Sequence, residues 1–377
     1  MKITSLNIKN FKSIVDITIN EPNPFTVFVG PNGSGKSNIF EALELYSYYS
    51  KNDFETVESL FGGQNQFVNK NIYLDTRGID LSELFKGKYL KGFDFGFEVQ
   101  FQSLNSSLKV HQGGDNHFSS NTNKGATVGK DFIFHYRRNG SYITKNFKFS
   151  LYPFASEENP SDFKNNSEYK QFFTEFSRIF PSTKNKNRQN FIDSQKLNTD
   201  ADNLEKVLKR LLENSLIKEE IFEWLSLFLP EFENIEVRKS EFSSNEDLLI
   251  YQKHYDKPFN KELISDGTYN ILCLLTAVLQ SDEPQFLCIE EPENGLNPFV
   301  IRKLVDFFRQ SCEEKGHYIW LNTHSQTLVE SLKPEELIVV DKVNGETQVK
   351  QFKGMDLHGL DMSELWLSGA LGGGTPW

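Results

Sequence analysis

Cysteine is scarce in this sequence: Cys273, Cys288 and Cys312 are the three in 377 residues. They stand far apart and form no C-x-x-C pair, so neither a zinc site nor a redox motif is indicated. Cys273 and Cys288 lie in apolar runs and are expected to fill core space. Long apolar runs are missing as well. No stretch approaches the roughly 18 residues that a membrane-spanning helix needs. The opening Met1-Lys2-Ile3-Thr4-Ser5-Leu6 alternates like a strand and lacks the apolar core of a signal peptide. A cytoplasmic protein with no membrane partner is expected. Positive charge is in deficit, with 41 Lys and Arg against 52 Asp and Glu and a net charge of -11. That balance argues against a uniformly basic nucleic-acid binder. A local patch stays open at Lys184-Asn185-Lys186-Asn187-Arg188, where a solvated loop is the plainer reading. No heptad pattern is sustained and no internal repeat recurs, so a long coiled coil and a solenoid are not expected.

What is present suits a globular α/β protein: 38% hydrophobic, 25% charged and 14% aromatic residues. Residues 2–9 and 14–20 alternate apolar and polar positions and predict two strands, with Asn10-Phe11-Lys12-Ser13 as the turn. Phe25-Thr26-Val27-Phe28-Val29 predicts a short buried strand. Residues 36–49 predict a helix with Ile39, Leu43 and Tyr46 on one face. Over 72–150, alternation such as Phe93, Phe95, Phe97, Val99 and Phe101 predicts an antiparallel β lobe, interrupted by a polar loop at 103–130. Residues 160–229 turn helical in character: Leu204, Val207, Leu208 and Leu211, then Ile221, Trp224, Leu225 and Phe228, have helical spacing. Residues 233–252 return to strand-like alternation. From 265 the pattern alternates helix and strand, with helices at 268–280 and 298–314 and apolar strands at 285–290, 317–322 and 336–341. That order predicts a parallel arrangement.

The chemistry concentrates in Gly30-Pro31-Asn32-Gly33-Ser34-Gly35-Lys36-Ser37, a full G-x-x-x-x-G-K-S phosphate loop between a predicted strand and a predicted helix. Glycines let successive backbone N–H groups converge on phosphate oxygens at a helix N-terminus. Lys36 would reach the β- and γ-phosphates of ATP, and the Ser37 hydroxyl would hold Mg²⁺. Asn32, Gly33, Ser34, Gly35 and the adjoining Asn38 complete the candidate cofactor-binding set. Such a loop needs an acidic partner at the end of another strand. Phe286-Leu287-Cys288-Ile289-Glu290-Glu291 supplies it, with Glu290 expected near Mg²⁺ and Glu291 as acceptor of a proton from the attacking water. After the next strand, Asn322-Thr323-His324-Ser325 places a histidine where it would contact the γ-phosphate.

These elements in this order resemble the ABC-type ATPase heads of the RecF, SMC and OLD families. The resemblance covers 1–50 and 260–341. It implies that Ile264-Ser265-Asp266-Gly267-Thr268 is the signature motif, with Ser265 and Gly267 contacting the γ-phosphate held by a second subunit; from the residues alone Ser265 is a helix cap. It implies that Pro292-Glu293-Asn294-Gly295-Leu296-Asn297-Pro298 is the loop that contacts the partner subunit. It also places Lys12 and Ser13 beside the nucleotide. Glu290 stands where the family usually carries Asp. Gln64 and Gln66 are candidates for the family's glutamine loop. The 227 residues between Ser37 and Ser265 are too many for a transporter subunit and too few for an extended SMC coiled coil.

The implied fold is an α/β phosphate-loop head with a mixed or parallel core sheet, an antiparallel β lobe and a helical lobe. The expected division is a discontinuous head at 1–150 and 265–377, and a lobe at 155–260. The implied function is an ATPase that dimerises around two ATP molecules, in DNA maintenance or phage defence. The alternatives are a non-hydrolysing assembly scaffold and, less well matched, a transporter ATPase. An OLD-type nuclease domain is not expected after Trp377, so any nuclease effector would be a separate chain, and DNA stays a possible partner. The Gly-rich tail carries Trp366 and Trp377, which would either anchor that partner or pack on their own subunit.

Overall fold

The computed structural model describes residues 2–51, 95–101, 107–112, 128–138, 141–153, 171, 175–181, 195–239, 246–355 and 362–372. The chain opens with β1 (Ile3–Phe11), β2 (Ile14–Asn20), β3 (Phe25–Val29) and α1 (Lys36–Lys51). Strands β4 (Phe95–Phe101), β5 (Ser107–Gln112), β6 (Val128–Arg138) and β7 (Ser141–Pro153) follow. β8 (Phe176–Ile179) precedes the helices α2 (Leu204–Leu212) and α3 (Ser215–Phe228). β9 (Phe232–Lys239), β10 (Glu246–Gln252) and β11 (Phe259–Asn260) lead to α4 (Asp266–Leu279). β12 (Phe286–Glu290), α5 (Pro298–Lys315), β13 (Tyr318–Thr323) and α6 (Gln326–Glu330) come next. The last elements are β14 (Leu337–Val343), β15 (Glu346–Gln351) and α7 (Met362–Leu367). This is a mixed α/β fold with parallel core strands, an antiparallel strand lobe and a helical lobe. The chain forms two compact units, one drawn from Met1–Asn23, Gly30–Thr174 and Ile338–Gln351, the other from Pro24–Val29, Glu175–Leu337 and Phe352–Trp377.

In the first unit an antiparallel sheet runs in the order β2-β1-β4-β5-β7-β6. Ile3, Leu6 and Ile8 of β1 are all buried, although the spacing of three from Ile3 to Leu6 breaks the two-residue period of a strand. The β1–β4 register shifts between Ile3 and Ser5, and this irregularity returns both side chains to one face. β1 and β2 join through Lys12-Ser13, with Phe11 opposite Ile14 and Lys12 at φ 49°. The β14–β15 hairpin is equally tight, turning on Asn344 (φ 52°) and Gly345 (φ 86°). Both residues take the left-handed backbone that a two-residue hairpin demands. The polar β15 has no run of apolar residues to announce it, and the Asn-Gly pair is its signal in the sequence.

In the second unit four strands run parallel in the order β3-β13-β12-β8. Every residue of all four strands is buried, as expected for parallel strands covered on both faces. Trp320 packs between Phe28 (5.4 Å) and Phe286 (5.0 Å) at the sheet centre. α5 lies on β3, with Phe308 6.4 Å from Phe25 and the Arg309 guanidinium 5.7 Å from the same ring. α4 is buried on nearly all sides from Ile271 to Leu279, which marks a core helix. The predicted faces of α2 and α3 are buried at Leu204, Val207, Leu208, Leu211, Ile221, Leu225 and Phe228, and Trp224 meets Phe307 edge-on at 4.7 Å. β9, β10 and β11 form a small antiparallel sheet. All three cysteines are buried and unpaired with one another.

Residues 176–179 depart from the helical character expected over 160–229. They form β8, paired in parallel with β12. Four residues are too few to display a period, so pairing and burial decide their conformation. Gln64, Gln66, the Lys184–Arg188 segment and Trp377 lie outside the described residues. Among the described residues no helix is long and apolar enough to cross a membrane.

Candidate functional site

The phosphate-loop residues belong to the first unit. Their turn is tied to itself: Ser34 N donates to Pro31 O (3.2 Å), and Asn38 N and Ile39 N donate to Gly35 O (3.0 and 3.3 Å). Lys36 is buried and folds back over the loop, donating from Nζ to Gly30 O (2.6 Å) and Pro31 O (3.1 Å). Asn32 and Gly33 are exposed, and Ser34 is buried with no hydrogen-bond partner for its hydroxyl among the described residues. Gly35 has φ 108°, and a Cβ there would overlap Thr347 Oγ1 and lie 2.9 Å from Ser13 Oγ. Glycine alone satisfies both demands.

The residues beneath the loop explain that crowding. Thr347 Oγ1 donates to Ser34 O (2.9 Å), and Thr347 N donates to Ser13 O (2.9 Å). The Thr347 proton is thereby used, so in the Ser13 Oγ–Thr347 Oγ1 pair (2.6 Å) Ser13 donates. Asn38 Nδ2 donates to the same Ser13 oxygen (2.6 Å). Lys12 pairs with Glu41 on α1 and lies 5.8 Å from the Phe11 ring. Ser13, Asn38 and Thr347 thus form one hydrogen-bonded support for the loop, and Lys12 pairs separately with α1.

The acidic residues belong to the second unit. Glu290 is buried at the end of β12 and both its oxygens are engaged. Oε1 takes Arg178 Nε (2.5 Å) and a second contact from the same guanidinium; Oε2 accepts from Asn322 Nδ2 (3.1 Å). Arg178 sits on β8 opposite Cys288, two residues before Glu290, and so reaches it along the sheet. Asn322 also holds Glu291, whose N–H donates to both Asn322 O (3.0 Å) and Asn322 Oδ1 (3.1 Å). Glu291 itself is left-handed at φ 48°, an uncommon conformation for a non-glycine residue that turns the chain sharply out of the strand. Its Oε2 accepts from Asn294 Nδ2 (3.0 Å), and its Oε1 lies 3.7 Å from His324 Nδ1. Both of these side chains are partly exposed, so solvent reaches the carboxylate.

Glu293 points the other way. Its carboxyl is buried, and Oε1 accepts from Thr323 Oγ1 (2.5 Å) and His324 N (3.3 Å). Burial raises its pKa above the usual carboxylate range, against a smaller opposing effect of the Thr323 hydrogen bond. Ser265 is exposed and caps α4, accepting from Thr268 N (3.1 Å). Gly267, two residues further on in the first turn, is buried where a Cβ would collide with Gly295 O. The loop after β12 is therefore packed directly on the first turn of α4.

The family model described as "AAA domain, putative AbiEii toxin, Type IV TA system" matches residues 25–330. The chain belongs to that family. It is also 23% identical over 348 residues to a Helicobacter pylori protein named ATP/GTP phosphatase, covering 88% of this chain and 87% of the other. A 41-residue stretch is 49% identical to the chromosome partition protein Smc of Methanocaldococcus jannaschii, which is 11% of this chain and 4% of that protein. Among solved structures, the SMC head domain from Thermotoga maritima superposes with a TM-score of 0.48 at 15% identity, over 93% of this chain and 99% of the other.

In this AAA-family chain several site residues had no sequence signal of their own. Arg178 lies in a four-residue strand, 112 positions from its partner Glu290. Thr347 lies in a polar hairpin 313 positions from Ser34. Asn322 falls within the histidine motif, and only its contacts identify it as the link between Glu290 and Glu291. The buried Arg178–Glu290 pair has a testable cost. Arg178→Ala leaves an uncompensated buried carboxylate and is expected to destabilise the fold by about 3–5 kcal/mol. A urea denaturation midpoint equal to wild type would refute that pairing. Trp366, considered above as a partner anchor, is buried within its own chain, so its ring is not offered to another protein.

Proposed function

We propose that this chain binds and hydrolyses ATP, closes head-to-head as a dimer around two ATP molecules, and so acts as a nucleotide switch for a DNA-directed or phage-defence complex. One observation carries this reading. The parallel register sets Val29 opposite Thr323, and Asn322 opposite Glu290. The carboxyl ends of β3, β13 and β12 are thus flush, and the phosphate loop continues directly from Val29. In open α/β sheets ligands bind at that edge. The full-length similarity to a protein named ATP/GTP phosphatase supports hydrolysis, and the family description supports a defence setting.

In this reading Lys36 grips the β- and γ-phosphates, helped by the loop amides from Asn32 to Ser37 and by Asn38. Lys12 and Ser13 would lie beside the nucleotide, with Ser13 also bracing the loop through Thr347 and Asn38. Attack by water on the γ-phosphorus breaks its bond to the β–γ bridging oxygen, and ADP leaves with the electron pair. Glu291 takes the water's proton, and His324 donates to a γ-phosphate oxygen. A single carboxylate and a single hydroxyl are the kind of oxygen donors that suit Mg²⁺. Glu290 fits because a carboxylate is the hard oxygen donor that Mg²⁺ takes and because it stands buried at the carboxyl end of β12. Ser37 and Glu290 would hold the ion, which when bound neutralises charge on the transferring phosphoryl group. Residues 1–150 and 265–377 would make the head and 155–260 the lobe. A nuclease-type effector would be a separate chain docking near the C-terminal tail.

The second half of each site would come from Ser265 and Gly267 of the other subunit, where the α4 N-terminus favours an anion. Ser265→Arg is expected to abolish ATP-driven dimerisation, measured by light scattering. Its ATP Kd should stay within about threefold of wild type. A variant that still dimerises with ATP would reject the shared site.

A further inference from the structure

The loop at 291–297 is held from two sides. On the α4 side, buried Asn270 donates from Nδ2 to Pro292 O (2.9 Å) and Asn294 O (2.9 Å), next to the close approach of Gly267 and Gly295. On the β13 side stands Glu293, only 8% exposed. Its Oε1 accepts from the Thr323 hydroxyl and the His324 amide. Thr323 Oγ1 in turn accepts from Ser325 N (2.9 Å), and Ser325 caps α6 through Leu328 N (3.3 Å). The other Glu293 oxygen is buried with no hydrogen-bond partner among the described residues.

That arrangement is costly. A buried polar atom without a partner forfeits about 1–3 kcal/mol, and more if charged. An apolar side chain of similar size would fill the space without that loss. Stability therefore does not account for a glutamate at this position. What the carboxyl does is join two backbone segments: the loop that begins at Glu291 and the turn that begins at His324. The two side chains at the heads of those segments face each other at 3.7 Å.

We infer that Glu293 is a positioning residue, which sets the distance between Glu291 and His324 by tying the loop after β12 to the backbone amide of His324. This rests on the ATPase reading above. Because Asn270 clamps the same loop to α4, a displacement of the first turn of α4 would reach His324 through Glu293. Misplacing a reacting group by about 1 Å costs on the order of 100-fold in rate, so the tether acts on turnover rather than on nucleotide affinity.

Steady-state hydrolysis and ATP binding of Glu293→Gln, Glu293→Leu and Thr323→Val test it. Glu293→Gln keeps the acceptor oxygen in neutral form and is expected to stay within about threefold of wild type in kcat. Glu293→Leu is expected to lower kcat by about 10- to 100-fold with KM and ATP Kd unchanged. Thr323→Val, which removes the hydroxyl donor, should move in the same direction. It also keeps the test open if the leucine variant does not fold. The double variant Glu293→Leu/Thr323→Val should be no slower than Glu293→Leu alone, because both cut one link. A leucine or valine variant with wild-type kcat, or one that loses ATP affinity in proportion to rate, would overturn the inference. If wild type itself does not hydrolyse ATP, the ATPase reading falls, and the tether is then read from the His324 imidazole resonances, assigned with His324→Gln. Glu293→Leu must shift or broaden them, and unchanged resonances would sink it.

Discussion

Lys36→Ala is expected to reduce ATP affinity by at least about 100-fold. The ammonium lies within the loop it serves, 2.6 Å from Gly30 O and 3.1 Å from Pro31 O. Its desolvation is therefore met in the folded chain, and exchanging carbonyl oxygens for phosphate oxygens replaces neutral acceptors with charged ones. A charge-assisted hydrogen bond contributes roughly 1.5–3 kcal/mol, and contact with two phosphates about twice that. Even the lower end, about 3 kcal/mol, corresponds to somewhat more than a 100-fold change in Kd. Titration with ATP by calorimetry measures it directly. Unchanged affinity would sink the phosphate-loop assignment, and with it the ATPase reading.

The second large effect is expected at the other half of the chemistry. Glu291→Gln keeps a carbonyl oxygen for Asn294 Nδ2, now 3.0 Å from Glu291 Oε2, and keeps the backbone bonds to Asn322. What it removes is the proton acceptor. Loss of general-base assistance costs about 10²- to 10⁴-fold. Single-turnover hydrolysis should slow by that factor while ATP binding is retained. A dimer that forms with ATP and opens on hydrolysis would then accumulate, because the closed state alone makes both sets of phosphate contacts. Light scattering in the presence of ATP should show the dimer in Glu291→Gln and not in Glu291→Gln/Ser265→Arg. If Glu291→Gln turns over like wild type, the base lies elsewhere.

The contrast between these two residues and the ones that support them shows how the site is encoded. The strand at 25–29 and the helix from 36 stand where the apolar run and the glycines predict them. The strand at 286–290 and the helix over 266–279 match their predicted spans within two residues. Each is announced by contiguous residues: a buried run, a cap or a change of period. Ser265 as the cap of α4 was legible from its position alone. The four-residue strand β8 was not, because Phe176-Ser177-Arg178-Ile179 is too short to have a period and becomes a strand only by pairing with β12. β15 is polar with Thr347 its one buried residue, so apolar periodicity is silent there and the Asn344-Gly345 turn alone announces it.

Sequence by itself determined the family and the short contiguous motifs from which the site is built. A phosphate loop, an acidic strand end and a capped apolar helix are local devices, made by neighbouring residues whose backbone preferences suffice to form them. Tertiary structure alone decided what those motifs rest on. Arg178 neutralises Glu290, Asn322 bridges Glu290 to Glu291, Thr347 and Ser13 brace Gly35, and Glu293 ties its loop to His324. Apart from Ser13 and Gly35, which lie closer in sequence, each link joins residues at least 30 positions apart. Sheet register and packing set such contacts, and no periodicity or spacing along the chain encodes them.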